Sequence, residues 1–180
     1  MTRAGRVVAT ALLASLVVGC ALFREDPGAA LRGRVLMVPV AGVDPEDVPD
    51  TFEHSREGGR RRHEALDIPA PRGTPVVSAE DGVVLAVREN RRGGRTMWVG
   101  DAHGRVVYYY AHLERYRAGL RAGTKVARGD VLAYVGTSGN ADRAMPHLHF
   151  QVLVVDDGGD WRHGRPVDPR PYLRDTGAPR

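Results

Sequence analysis

From residue 35 onward, turn-forming residues cut the chain into short apolar runs, and that division decides what it can fold into. "VLMVPV" (35–40), "TPVVSA" (74–79), "GVVLAVRE" (82–89), "TMWVG" (96–100), "RVVYYYAHL" (105–113), "VLAYVG" (131–136) and "HLHFQVLVV" (147–155) are rich in valine and aromatic residues. Between them stand "EDG", "NRRGG", "DAHG", "ARGD" and "TSGN", which suit tight turns because Gly, Asn and Asp reach the backbone conformations those turns need. Runs of this length and composition are strands, and no stretch sustains a helical apolar period. With 22 Gly and 12 Pro in 180 residues, the expectation is a mainly β, antiparallel, barrel- or sandwich-like sheet. It forms a single domain, with long loops left over to build a groove.

An internal echo, "GTPVVSAEDGVVLAV" (73–87) and "GTKVARGDVLAYVG" (123–136), also occurs in the barrels of biotinyl and lipoyl carriers. A carrier presents its modified lysine at a hairpin tip. Lys125 is the only lysine here and precedes the turn at 128–130, which argues against that class.

The chemistry-bearing residues are histidines. His54, His103 and His163 sit in polar or glycine-flanked segments and read as surface residues. His63, His112, His147 and His149 lie at strand ends beside apolar sequence. In "MPHLHFQV" (145–152), His147 and His149 project to one face of a strand, because alternate residues share a face. In "HEALDI" (63–68), Pro69 and Pro71 disfavour a helix, and an extended or bent segment brings His63 and Asp67 to the same side. In "YYYAHL" (108–113), strand alternation places His112 on the face of Tyr108 and Tyr110. Two adjacent buried imidazoles each need partners. His63, Asp67 and His149 can supply the N, O and N ligands of a catalytic zinc site, which keeps three protein ligands and an open fourth position. His112 and His147 are then free for proton transfer and charge stabilisation.

These blocks resemble the LytM/lysostaphin-type zinc metallopeptidases, which cut peptide bonds of bacterial peptidoglycan. The matching stretches are "HEALDIPAPRGTPVVSAEDGVV" (63–84), "YYYAHL" (108–113), "GTKVARGDVLAYVGTSGNA" (123–141) and "PHLHF" (146–150). The resemblance implies one zinc ion held by His63, Asp67 and His149, with His112 and His147 as the catalytic pair. One of the pair takes a proton from water and the other stabilises the oxyanion. It implies peptide crosslinks of peptidoglycan as substrate, joining D-Ala to diaminopimelate in a diderm or carried on a glycine bridge. The alternative class is a non-catalytic cell-wall-binding module that activates amidases, for which an intact ligand set has no use. The family pattern carries Gly where Ala65 and Ala133 stand, and a Phe-Gly turn where Phe52-Glu53 stands. Residues 21–60, with "DTFEHSREGG" just ahead of His63, are placed to cover the groove.

The first residues read separately. "MTRAGRVVATALLASLVVGC" carries Arg3 and Arg6 ahead of an apolar run shorter than the ~20 residues of a membrane span, as an export signal does. Its end, "LVVGC", resembles the lipobox of bacterial lipoproteins, and Cys20 is the only cysteine, so no intramolecular disulfide competes for it. The expected organisation is a signal peptide over 1–19, a tether over 20–34 carrying lipid on Cys20, and the metallopeptidase domain over 35–175 with its core at 60–155. The chain would be exported and anchored by lipid to a membrane facing the cell wall, on the periplasmic side of the outer membrane if the host is a diderm. Losing Arg3 and Arg6 takes the formal charge from +4 to near +2. The basic clusters "GGRRRH" (58–63) and "RENRRGGR" (88–95) lack interleaved aromatics, so they read as solvated loops with no nucleic-acid partner. An acidic polymer with free carboxylates remains compatible with them.

Overall fold

β-Branched and aromatic side chains pack well on a pleated surface, and the valine-rich runs all become strands. The computed structural model describes residues 26–179. Its strands are β1 (Leu36–Ala41), β2 (Ser55–Arg56), β3 (Arg61–Arg62), β4 (Leu66–Pro69), β5 (Pro75–Val77), β6 (Gly82–Asn90), β7 (Gly94–Gly100), β8 (Val106–Tyr116), β9 (Lys125–Val126), β10 (Val131–Val135), β11 (His147–Val154), β12 (Arg165–Val167) and β13 (Leu173–Gly177). The only helices among the described residues are short 3-10 segments. The expected signal peptide (1–19) and Cys20 lie outside the described residues. Among the described residues, no helix is long and apolar enough to cross a membrane.

The main sheet runs β13-β1-β5-β10-β8-β7-β6-β9, and β11 joins it through β8 while also pairing β4 and β12. The pairings are antiparallel except for β1 with β13, which is parallel. The expected mainly β, antiparallel sheet is thus the one observed, with this single ladder running the other way. Hairpin-linked strands must be antiparallel, but β1 and β13 come from opposite ends of the domain and nothing constrains their direction. Val38, Val40, Leu66, Ile68, Tyr108, Tyr110, Leu132, Leu148, Phe150 and Val152 form the core. Val107, Leu153 and Val155 pack with Trp98 and Trp161 in a smaller cluster. The stretch 51–62 carries the small β2–β3 hairpin and is largely exposed.

β8 is the pivot. Its first part pairs β11 from Val106 to Ala111, and its last part pairs β10 from Leu113 to Tyr116. Between them, His112 takes a left-handed conformation at φ 60°, and the register with β7 slips by one residue. This is a β-bulge, in which an extra residue bends the strand. Tyr108, Tyr110 and Leu113 therefore all point into the core, while His112 turns to the other side. The expectation that His112 shares a face with Tyr108 and Tyr110 is thus corrected: strict alternation fails at the bulge, and Tyr109 is the phenol on the histidine side.

Part of the stretch read as a tether (20–34) lies against the domain, through Leu31 and Arg34. Asp26 caps the 3-10 turn Pro27–Leu31, and Leu31 is fully buried. Arg34 donates to Glu80 Oε2 at 2.6 Å and to Asp101 Oδ2 at 2.7 Å. Asp101 is almost wholly buried and also accepts the backbone N–H groups of Arg105 and Val106, so this pair pins the segment ahead of β1 to the β7–β8 turn. Arg34→Met leaves both carboxylates without their cation, and we expect stability to fall by about 2–4 kcal/mol, read as a lower urea midpoint at unchanged slope.

Candidate active site

The site is assembled by strand register. β4 and β11 pair so that His149 faces Asp67 and His147 faces Pro69. β11 and β8 pair so that His149 also lies beside Ala111. His63 stands just ahead of β4, separated from it by Ala65 and by Glu64, which takes a left-handed conformation at φ 56°. Two of the three left-handed non-glycine residues among those described, Glu64 and His112, are thus at the site. Such conformations cost about 1–3 kcal/mol each and persist where surrounding contacts hold them. The Glu64 N–H donates to the Phe52 carbonyl at 2.8 Å, and the Gln151 side chain donates to the Glu64 carbonyl at 3.0 Å. Ala65 and Ala133, standing where the resembling family has glycine, take no positive φ, so their side chains cause no backbone strain.

His63 Nε2, Asp67 Oδ1 and His149 Nδ1 converge in a near-equilateral triangle. The three separations are 3.0 Å between the two imidazoles, 3.1 Å from His63 to Asp67, and 3.0 Å from His149 to Asp67. His63 Nδ1 lies 2.9 Å from the Thr51 carbonyl. A carbonyl only accepts, so Nδ1 carries the proton and Nε2 presents a lone pair to the triangle. Asp67 is held well below the usual carboxylate range: burial works against this, but the facing imidazoles of His149 and His63 outweigh it. Burial likewise depresses His149, with Asp67 opposing. Electron-rich atoms converge here on one point, which suits a cation. Donors about 2.0 Å from a tetrahedral zinc stand about 3.3 Å apart, close to the observed triangle. Residues and spacing therefore fit zinc.

His112 and His147 stand beside the triangle with ring centroids 5.0 Å apart, and the His112 and His149 rings are 5.6 Å apart. His112 Nδ1 lies 2.8 Å from the Ser138 carbonyl, and His147 Nδ1 lies 2.8 Å from the Met145 carbonyl. By the same reasoning each carries its proton on Nδ1 and leaves Nε2 free to accept one. Burial lowers His112 to about 4, with the Ser138 contact opposing and the neighbouring imidazoles adding to the shift, so it is neutral at pH 7.

The structure brings all five expected residues, His63, Asp67, His112, His147 and His149, to one groove of about 1030 Å³. His54, His103 and His163 are exposed and none of them lines it, although the His54 carbonyl accepts the His63 N–H at 2.9 Å. Sequence reasoning missed Thr51, whose hydroxyl accepts the Asp67 N–H at 2.9 Å and whose carbonyl orients His63. It missed Ser138, because a carbonyl that fixes a tautomer leaves no mark on residue type. It missed Arg56, which donates to Asp67 Oδ2 and leaves Oδ1 to the triangle. Pro49, Thr51, Arg56 and Arg61 make residues 49–61 part of the groove wall. Within the same stretch Glu53, standing where the resembling family has Gly, pairs with Arg62.

A β-sheet groove holding a His-Asp-His triangle flanked by two tautomer-fixed histidines defines the class of metal-dependent hydrolases. The sequence matches peptidase family M23 over residues 61–169, more than half of the chain, and the protein belongs to that family. It is 37% identical over 122 residues to the L-Ala--D-Glu endopeptidase of Bacillus subtilis, covering 65% of this chain and 36% of that protein. It is 35% identical over 108 residues to the peptidoglycan DD-endopeptidase ShyA of Vibrio cholerae, covering 59% of this chain and 22% of that protein. Its fold is similar to a zinc-containing peptidase from Vibrio cholerae, with a TM-score of 0.53 and 27% identity over 79% of this chain and 37% of that one. The chain spans about a third or less of the length of these relatives.

The position of His112 depends on two glycines pressed together. Gly139 has φ 76°, and a Cβ there would stand 2.3 Å from the Gly94 nitrogen and 2.4 Å from the Arg92 carbonyl. Gly139→Ala should therefore cost about 2–4 kcal/mol through strain and overpacking, measured by urea unfolding. It should also release the Nδ1 proton of His112 from the Ser138 carbonyl, visible in imidazole NMR.

Proposed function

We propose that the protein is a zinc-dependent endopeptidase that hydrolyses peptide crosslinks of bacterial peptidoglycan. The observation that carries this reading is the 3.0–3.1 Å triangle of His63 Nε2, Asp67 Oδ1 and His149 Nδ1, open to a groove that His112 and His147 also line. A zinc ion held by these three residues supplies a Lewis acid, which polarises a carbonyl and acidifies water. The chain's own groups do the rest. One imidazole, His112 or His147, accepts the proton of the attacking water at Nε2 and passes it to the departing amine. The other stabilises the oxyanion, donating from Nε2 when that nitrogen has taken up a proton from solvent before the attack. The Thr51 carbonyl and Arg56 fix the donor atoms of His63 and Asp67, as outer partners of metal ligands commonly do. Family membership and relatives named as peptidoglycan endopeptidases support the substrate class.

Metal content and turnover test these roles separately. His149→Ala should lose both bound zinc and hydrolysis. His147→Ala should keep zinc and lose hydrolysis by roughly 10²-fold or more; full activity in that variant would contradict the division of roles. On diaminopimelate-type peptidoglycan, mass spectrometry of the muropeptides should show crosslinked dimers lost and monomers gained.

The same reading includes export and attachment of lipid to Cys20, with the domain facing the cell wall. Cys20→Ser should then shift the protein from the detergent phase to the aqueous phase on phase partitioning. Equal partitioning of the two forms would overturn the anchor.

A further inference from the structure

Neither the metal ligands nor the proton-transfer pair accounts for the two basic clusters, "GGRRRH" and "RENRRGGR". Far apart in sequence, they meet at the groove. The β2–β3 hairpin brings Arg61 and the β6–β7 turn brings Arg92, and both line it. Glu57 Oε1 lies 3.6 Å from Arg61 Nε and 3.0 Å from Arg92 Nη2. One carboxylate thus serves two guanidinium groups and leaves a positive charge uncompensated. Both arginines are accessible, with side chains 43% and 69% exposed. Arg56, the remaining cation of the lining, is committed to Asp67. Asp142, the lining's other acid, caps its own loop by accepting the Ala144 N–H at 2.8 Å.

We propose that Arg61 and Arg92 form a carboxylate-binding subsite that selects peptides bearing a free carboxylate near the scissile bond. This deepens the proposed function and rests on it. Guanidinium forks match carboxylates in shape and charge. Stem peptides crosslinked through an acidic diamino acid offer such a group along their length, whereas an oligoglycine bridge offers none. The geometry therefore assigns this groove to acidic stem peptides. Glu57 pre-arranges the two forks, and the incoming carboxylate neutralises the charge left over.

The test is calorimetric titration of the zinc-loaded full chain, with His147→Ala added to prevent turnover. The probes are L-Ala-γ-D-Glu-diaminopimelyl-D-Ala as the free acid, the same peptide amidated at diaminopimelate, and the same peptide amidated at D-Glu. The free acid should bind about five- to tenfold more tightly than one of the amides, a modest factor because the arginines are solvated. The amide that loses affinity identifies the carboxylate that is read. Adding Arg61→Gln with Arg92→Gln should abolish the preference. Adding Arg60→Gln removes the same charge from the hairpin outside the groove lining and should keep it. Equal affinity for all three peptides overturns the subsite, as does a preference that survives the double substitution. The muropeptide digest reports separately on hydrolysis: cleavage without preference overturns the subsite alone, and preference without cleavage upholds the subsite while overturning the endopeptidase reading.

Discussion

The site depends on a single backbone constraint, the left-handed bulge at His112 in the middle of β8. On one side of it the strand serves β11, and on the other it serves β10. Without the extra residue, alternation would send the imidazole into the apolar core occupied by Tyr110 and Leu113, where a polar ring without a partner is costly. The bulge instead delivers it to the groove beside His147, with its backbone N–H and Nδ1 donors both met. The backbone N–H donates to the Gly93 carbonyl at 2.8 Å, and Nδ1 donates to the Ser138 carbonyl at 2.8 Å. Strain in the chain and satisfaction of the side chain are two aspects of one arrangement.

The metal site is built on a different principle. Asp67 and His149 are cross-strand partners on β4 and β11, so register alone brings them face to face. His63 cannot be placed by register, since it precedes β4, and it is steered by the turn at Glu64 and by Thr51. Rigid strands thus set two vertices of the triangle and a braced loop sets the third. Backbone carbonyls fix the tautomers of His63, His112 and His147, so which of their nitrogens carries the proton in the neutral ring is a property of the fold.

Much of this was legible in the sequence, for reasons that can be named. The strands announce themselves because the turns between them carry Gly, Asn and Asp at short intervals. The ligands announce themselves because His-x-His on a strand and His-x-x-x-Asp beside prolines have few other uses. The tyrosine face was misread because a β-bulge inserts a residue without changing composition. The parallel pairing of β1 and β13 was invisible because it joins segments over 130 residues apart. Thr51, Ser138 and Met145 were missed because their contribution to the histidines is a backbone carbonyl, which every residue type has. The stretch from Pro27 to Arg34 looked like a tether because it is short and mixed in character. What it does depends on partners, Glu80 and Asp101, that lie far along the chain.

The contact between Gly94 and Gly139 has a mechanical meaning. With no side chain on either residue, the β6–β7 turn and the loop after β10 fit together like mortise and tenon. The joint is locked by Asn140 N–H on the Arg92 carbonyl at 3.0 Å and by Ser138 Oγ, which accepts from the Arg95 N–H and donates to the Leu113 carbonyl. Arg92 at the groove wall and the carbonyl that steers His112 therefore belong to one rigid piece. A peptide pulling on that wall would have to break these contacts to move it relative to the imidazole. The hairpin around Arg61 is tied to this piece by Glu57, which accepts from Arg92, and to Asp67 by Arg56. Both walls of the groove are therefore joined to the residues that do the chemistry, one through its backbone and the other through side-chain ion pairs.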